Sequence, residues 1–338
     1  MRLALVSIAA AGAGAYIRSQ QTSGSSTTLN PTRFTPYYLE SKEPVSSSGS
    51  VFTLRPPHPD ESNRAVYDEA WRTGVWSVMF KQPQLQIGRD YTPLPSVSTG
   101  EEEDVLRFFI RRDPFGEVSR YLHSLDVGTP IEIRGPRIEC PVPSDTQQVL
   151  FIAGGTGIAP ALQAGYTLLR RTSSTHKPRI HILWANRRRE DCAGGINDTT
   201  TTTKPERSWF SGISLSKSST PNPVSPPNST SSASTTLVSP MVRELEALKS
   251  QYPGQVTVDY FVDEENAFIG KNAILELTKS ASSSGGSPPR NMILVSGPEG
   301  FISYMAGPKL WAQGMELQGP LDGIIRELDL KDWAVWKL

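Results

Sequence analysis

The sequence predicts an antiparallel β-barrel followed by an α/β, doubly wound parallel sheet. Three observations carry that prediction. Residues 31 to 143 hold short strand-like runs separated by proline, glycine and polar clusters. From 144 to 338 apolar strands alternate with helix-patterned segments. At the head of this second half stands Val149-Leu-Phe-Ile-Ala-Gly-Gly-Thr-Gly-Ile-Ala-Pro160: a short apolar run, a glycine-rich turn and the start of a helix. Backbone N–H groups at such a turn, and the positive helix end behind it, can face an anion. Taken alone the turn is equally compatible with an ordinary tight bend.

In the first half, Phe34–Leu39, Val51–Leu54, Val75–Phe80, Leu106–Ile110 and Ile131–Ile133 read as strands. Ser119–Leu125 reads as the one obvious short helix. Many short strands with a single helix suggest a closed barrel. In the second half the order is strand 149–153, helix 161–171, strand 180–184, helix 241–250 and strand 256–262. A helix at 273–279, a strand at 292–295, a helix after Gly300 and a strand at 334–336 complete it. A Ser/Thr/Pro-rich tract at about 194–240 interrupts this alternation. It holds too few large apolar residues to offset its ordering entropy and reads as a disordered insertion.

The chain has 338 residues, room for two domains plus non-globular material at roughly 150 residues per domain. Lys plus Arg and Asp plus Glu are each 34, and this zero net charge argues against a nucleic-acid partner. Two cysteines, Cys140 and Cys192, and four unpaired histidines offer neither a disulfide scaffold nor a metal site. Residues 1–20 contain the apolar run Leu3–Ile17 between Arg2 and Arg18. The run is short against the ~20 residues that cross a bilayer. It can serve as a membrane anchor, a secretory h-region or a presequence remnant, and an anchor is the preferred reading.

Four motifs stand in order: Arg89-Asp-Tyr91-Thr92-Pro-Leu-Pro-Ser96, Gly116-Glu-Val118-Ser119, Gly154-Gly155-Thr156-Gly157-Ile-Ala-Pro160 and Ser296-Gly297-Pro298-Glu299-Gly300. With Ile110-Arg111, Arg134-Gly-Pro136 and Trp184-Ala-Asn186, they resemble the ferredoxin–NADP reductase superfamily, in particular its NADH–cytochrome-b5 reductase branch. The likeness implies an FAD domain over 31–143 and an NAD(P) domain over 144–338. It implies that Arg89 binds a flavin phosphate, that Tyr91 and Thr92 meet the isoalloxazine, and that the backbone of Phe109 and Arg111 edges the ring. Gly116, Val118 and Ser119 would hold the FAD pyrophosphate. Gly154, Gly155, Thr156 and Gly157 would lie between flavin and nicotinamide, with Gly297, Pro298 and Glu299 closing the NAD(P)H site. Thr156 and Ser296 are the residues expected at the reacting atoms.

Two departures from the pattern matter. Glu117 stands where close relatives often carry lysine, which is unfavourable beside a pyrophosphate unless it faces solvent or meets Arg120. Ser296 replaces the cysteine of the C-G-P motif and lacks its thiol. The basic run Arg187-Arg-Arg189 follows the second strand of the nucleotide fold, where an arginine can pair with the 2′-phosphate of NADPH. A solvated basic loop is equally compatible.

The short N-terminal run, the compact stretch Gly116-Glu-Val-Ser-Arg-Tyr-Leu122, the long insertion and the terminal Val335-Trp-Lys-Leu338 resemble fungal mitochondrial flavoproteins linked to cytochrome c import and haem attachment. That likeness implies a mitochondrial inner-membrane protein facing the intermembrane space, with haem or a haem protein as electron acceptor. A general membrane-bound cytochrome-b5 reductase and a flavin-bearing assembly factor with little turnover are the alternatives.

Overall fold

The computed structural model describes residues 28–58, 61–95, 105–199, 238–279 and 290–338. The N-terminal apolar run, Ser96 and residues 200–237 of the Ser/Thr/Pro tract lie outside the described residues. The chain divides into two compact units. One runs to Pro44 and resumes over Ser48–Val142; the other comprises Val45–Ser47 and Pro143–Leu338.

The first unit is a seven-stranded antiparallel sheet. Its strands are β1 (Thr35–Pro44), β2 (Gly49–Arg55), β3 (Gly74–Gln82), β4 (Ile87–Tyr91), β5 (Pro93–Leu94), β6 (Leu106–Arg111) and β7 (Pro130–Pro141). They lie in the order β4-β3-β7-β1-β2-β6-β5. The two outermost strands, β4 and β5, are consecutive in the chain and joined by Thr92 alone. The sheet therefore curls until its edges meet, and the seam falls at Tyr91-Thr92-Pro93. Alternation along the strands turns Tyr37, Leu39, Phe52, Leu54, Trp76, Val78, Phe80, Phe108 and Ile110 inward, all buried. Phe80 meets Phe108 edge-to-face at 4.8 Å between ring centres.

Among the described residues two helices accompany this sheet, not the one expected. Helix α2 (Glu117–Ser124) matches the reading of Ser119–Leu125. Helix α1 (Glu61–Thr73) was not anticipated, because its charged residues read as a separator. Its buried Asn63, Tyr67 and Ala70 nevertheless recur at helical spacing and face the barrel core. Asn63 Oδ1 accepts from the Leu29 N–H at 2.7 Å and from the Tyr37 hydroxyl at 3.2 Å. The Tyr37 and Tyr67 hydroxyls lie 2.6 Å apart.

The second unit is a five-stranded parallel sheet: β8 (Thr146–Gly154), β9 (Arg179–Asn186), β10 (Val256–Val262), β11 (Arg290–Ser296) and β14 (Trp333–Lys337). Its order is β10-β9-β8-β11-β14. Successive strands step outward from β8 in one direction and then, after β10, in the other, so the switch point lies between β8 and β11. Helices α3 (Ile158–Leu169) and α4 (Pro240–Gln251) cover one face, where Gly165 of α3 packs close to Leu248 and Ile180. Helices α5 (Lys271–Lys279), α6 (Glu299–Ala306) and α7 (Gly323–Glu327) cover the other, over Leu150, Ile152, Leu183, Ile293 and Val295. Burial on both faces explains the continuous apolar run at 149–153.

At the start of the expected insertion, residues 197–199 lie along the outer edge of β10. Val258 N–H donates to Asp198 Oδ2 at 2.8 Å, and Tyr260 N–H donates to Asn197 Oδ1 at 2.8 Å. A two-stranded ribbon, β12 (Leu310–Ala312) and β13 (Met315–Leu317), and the short α7 were also not anticipated.

Replacing Asn63 by alanine should leave the Leu29 N–H and the Tyr37 hydroxyl without this shared acceptor. The expected loss in urea unfolding is about 1–3 kcal/mol. An unchanged midpoint would show that the network adds no net stability.

Candidate functional site

In the first unit the expected residues gather along the seam and the adjoining helix. Ile87, Arg89 and Tyr91 share one face of the edge strand β4, since side chains alternate. Arg89 is exposed, and its Nη1 donates to its neighbour's carbonyl, Gly88 O, at 2.8 Å. Tyr91 packs edge-to-face on Phe80 at 5.1 Å. Burial pushes its phenol up to about 12, with Arg89 opposing the shift. It therefore stays protonated, able to donate a hydrogen bond, across the physiological range. Thr92 is half-buried at the seam itself.

The ladder between β5 and β6 covers only Pro93–Leu94 against Phe108–Arg107. Strand β6 runs on past it to Phe109 and Arg111, and no described strand pairs with that edge of β6 there. Backbone groups at these two positions can thus meet a flat ring. The Phe109 side chain alternates away from the core that holds Phe108 and Ile110.

The start of α2 follows directly. Gly116 is its N-cap and no side chain caps it, so the first-turn N–H groups of Glu117, Val118 and Ser119 have no partner within the helix. A Cβ on Gly116 would sit 2.8 Å from Ser119 Oγ and 2.9 Å from Asp113 Cβ, so a larger residue here would have to displace those side chains. Ser119 Oγ donates to Gly116 O and accepts from the Asp113 N–H, each at 3.1 Å. Its hydroxyl braces the turn, which leaves the backbone donors as the groups that can face an anion. Val118 is buried and anchors the helix in the core. Glu117 is exposed and forms no ion pair among the described residues, so it points to solvent and not at Arg120.

In the second unit the loops after β8 and β11 press together at the switch point. Gly155 has φ +54°, and a short 3-10 turn, Gly155–Gly157, leads into α3. A Cβ on Gly157 would come 2.4 Å from Ser296 O, and one on Gly297 would come 3.0 Å from Gly154 Cα. Two backbones this close leave an open glycine surface over the start of α3, which has neither a side-chain cap nor an acidic residue in its first turn. That cradle suits the phosphates of a dinucleotide. Thr156 is the half-buried residue of the loop. Ser296 is buried at the end of β11, and Pro298 and Glu299 are exposed at the start of α6.

Two residues shape this cradle without having been assigned a part in it. The buried Trp184 donates its indole N–H to Gly155 O at 2.9 Å and fixes the turn. Phe301 lies beneath both loops, so that a Cβ on Gly154 would reach its ring at 2.8 Å. Trp184 already stood in a motif, but Phe301 carries no signal in the sequence beyond an apolar position on a helix.

The three arginines after β9 are not equivalent. Arg189 Nε donates to Glu265 Oε1 at 2.6 Å, a bond that raises the arginine's pKa further. Arg188 meets Glu190 at 3.3 Å. Arg187 is exposed, with no carboxylate within salt-bridge distance among the described residues. It is the guanidinium of the run left for a ligand.

Alanine at Gly157 should drive a methyl into Ser296 O. We expect a loss of about 1–3 kcal/mol of stability together with loss of NAD(P)H binding by titration. Native-like binding would show that the two loops separate easily. Because the Tyr91 phenol titrates near 12 when folded and near 10 when unfolded, its contribution to stability should be intact below pH 10 and fall as the pH rises toward 12. Replacing it by phenylalanine should remove that part of the alkaline decline.

Residues 36–140 match the oxidoreductase FAD-binding domain family. The chain is 23% identical to NADH-cytochrome b5 reductase 2-A of Vanderwaltozyma polyspora, over 87% of this chain and 80% of that one. It is 33% identical to the cytochrome c mitochondrial import factor CYC2 of Saccharomyces cerevisiae, over 34% of each chain. The chain spans about half the length of several of the curated relatives it matches. The cytochrome b5 reductase domain of Ulva prolifera nitrate reductase shares the fold, with a TM-score of 0.50 and 17% identity over 82% of this chain and 91% of that one. FAD is the cofactor that the matched family's description names, and NADH is the donor in the name of the Vanderwaltozyma relative. Residues 36–140 thus carry an oxidoreductase FAD-binding domain, and the chain as a whole is similar to cytochrome b5 reductases.

Proposed function

We infer that this protein oxidises NAD(P)H through FAD and passes the electrons to a haem or haem protein, in mitochondrial cytochrome c maturation or import. The observation that carries the pyridine-nucleotide half is the contact of Gly157 with Ser296, which opens a cradle of backbone at the sheet's switch point. The acceptor and the mitochondrial setting rest on the names of two relatives, an NADH-cytochrome b5 reductase and a cytochrome c import factor. Leu3–Ile17 is read as a tether to the inner membrane, with the flavin domain in the intermembrane space.

FAD, when bound, supplies the exchange between a two-electron hydride donor and a one-electron acceptor. The chain supplies placement. Arg89 and the uncapped start of α2 hold phosphate, and Tyr91 offers a flat face with a phenol that stays protonated. Thr92 and the backbone of Phe109 and Arg111 edge the ring. The loop Gly154–Gly157, with Gly297, Pro298 and Glu299, takes the nicotinamide nucleotide. Thr156 and Ser296 set small polar groups beside the reacting carbon and leave no room for bulk. None of these steps calls for an acid–base pair in the protein.

Mixing purified protein anaerobically with NADH or NADPH tests the reading. Rapid bleaching of the bound flavin is expected, followed by re-oxidation on adding haem. A yellow protein that never bleaches would point to a structural flavin and refute the enzyme. Arg187→Ala should weaken NADPH at least tenfold more than NADH, since one charge-assisted phosphate contact is worth about 1.5–3 kcal/mol. Equal losses for both nucleotides would remove Arg187 from the recognition of the 2′-phosphate.

A further inference from the structure

The ribbon β12–β13 stands apart from both sheets, paired only to itself: Leu310 with Leu317, Trp311 with Glu316 and Ala312 with Met315. Gln313 and Gly314 at its tip have φ of +54° and +75°, the conformation of a tight two-residue hairpin turn. Every residue of both strands is exposed. Trp311 is 75% exposed, Met315 58%, Leu310 47% and Leu317 44%, a dense apolar display for one hairpin. Leu310, Ala312, Met315 and Leu317 share one side of the ribbon, and Trp311 occupies the other with Glu316.

The base of this ribbon is held firmly. Lys337 of β14 is buried and donates to Pro308 O at 3.0 Å and Pro320 O at 2.9 Å, one on each side of the hairpin. Gln318 exchanges two hydrogen bonds with the Lys337 backbone, at 2.7 and 2.9 Å. Gly319 has φ +63°, and a Cβ there would meet Pro308 O at 2.5 Å. The apolar tip is thus carried on a rigid stem.

We propose that this hairpin inserts into the interfacial layer of a lipid bilayer, as a second membrane contact beside the N-terminal run. Four observations favour lipid as the occupant. The stretch from Leu310 to Met315 carries no charge, and the Lys309–Glu316 pair at 3.2 Å neutralises the base, so no net charge selects an acidic or basic protein. Apolar side chains lie on both sides of the ribbon, whereas a groove or a second copy would cover one; a bilayer surrounds both. Tryptophan suits the boundary between headgroups and acyl chains. Finally, Leu3–Ile17 is short and rich in alanine and glycine, and a weak first anchor becomes stable only when a second adds to it. The inference rests on the tether reading for its second contact and is independent of the redox chemistry.

The test uses the full-length chain with phosphatidylcholine vesicles, read by hydrogen exchange and by co-sedimentation. Vesicles should protect residues 309–317, and Trp311→Ser with Met315→Ser should lower the partition coefficient about tenfold. Flavin content, unchanged in that variant, reports that the fold is intact. Ile8→Asp in the N-terminal run should weaken binding while the hairpin remains protected. If that run alone is protected, the hairpin proposal fails and the tether reading survives. Protection that rises with protein concentration in the absence of vesicles would assign the hairpin to self-association and overturn the proposal. No vesicle binding at all would overturn both readings.

Discussion

The second unit depends on two backbones approaching to the limit that only glycine permits. Gly157 rests on the carbonyl of Ser296, Gly297 rests on Gly154, and Phe301 fills the space beneath. This approach is a consequence of the sheet order. Strands β8 and β11 are parallel neighbours, so the loops that follow them leave the same edge of the sheet side by side. Trp184, one strand further out, reaches across to hold the Gly155 carbonyl. The turn is thereby fixed by a partner that is itself wholly buried, and donors and helix dipole keep their aim without help from a ligand.

The first unit brings its expected site residues together by another route. Its two edge strands are one residue apart in the chain, so the closure of the sheet and the placement of Arg89, Tyr91 and Thr92 are a single event. Phe80 joins the inner core to Tyr91 by ring contact, while Ser119 ties the start of α2 back to Asp113. In the second unit, Glu190 and Glu265 pair with Arg188 and Arg189, while Arg187 has no carboxylate within salt-bridge distance among the described residues.

Both sheets were legible in the sequence because their signals are local. Short strand-like runs between proline, glycine and polar clusters marked β1, β2 and β3, and the runs at 149–153 and 256–262 marked strands of the second sheet. Helix α1 was not legible, since Arg64, Asp68, Glu69 and Arg72 dominate its composition and its buried stripe is narrow. The ribbon β12–β13 was missed for a different reason: every residue of its two strands is exposed, so no core imposes a pattern on it. The glycine motifs announced a cradle, but their reason lies in contacts between segments some 140 residues apart, which no local reading supplies. The inequality of the three arginines likewise depends on Glu265, distant in the chain and adjacent in space.

Tyr37, Phe52, Trp76, Phe80 and Phe108 crowd the inside of the barrel, and α1 presses Tyr67 and Ala70 against the same core. A body packed with side chains in this way is a workbench and not a vessel: the residues expected to meet a ligand lie along its seam and at the start of α2, not within it.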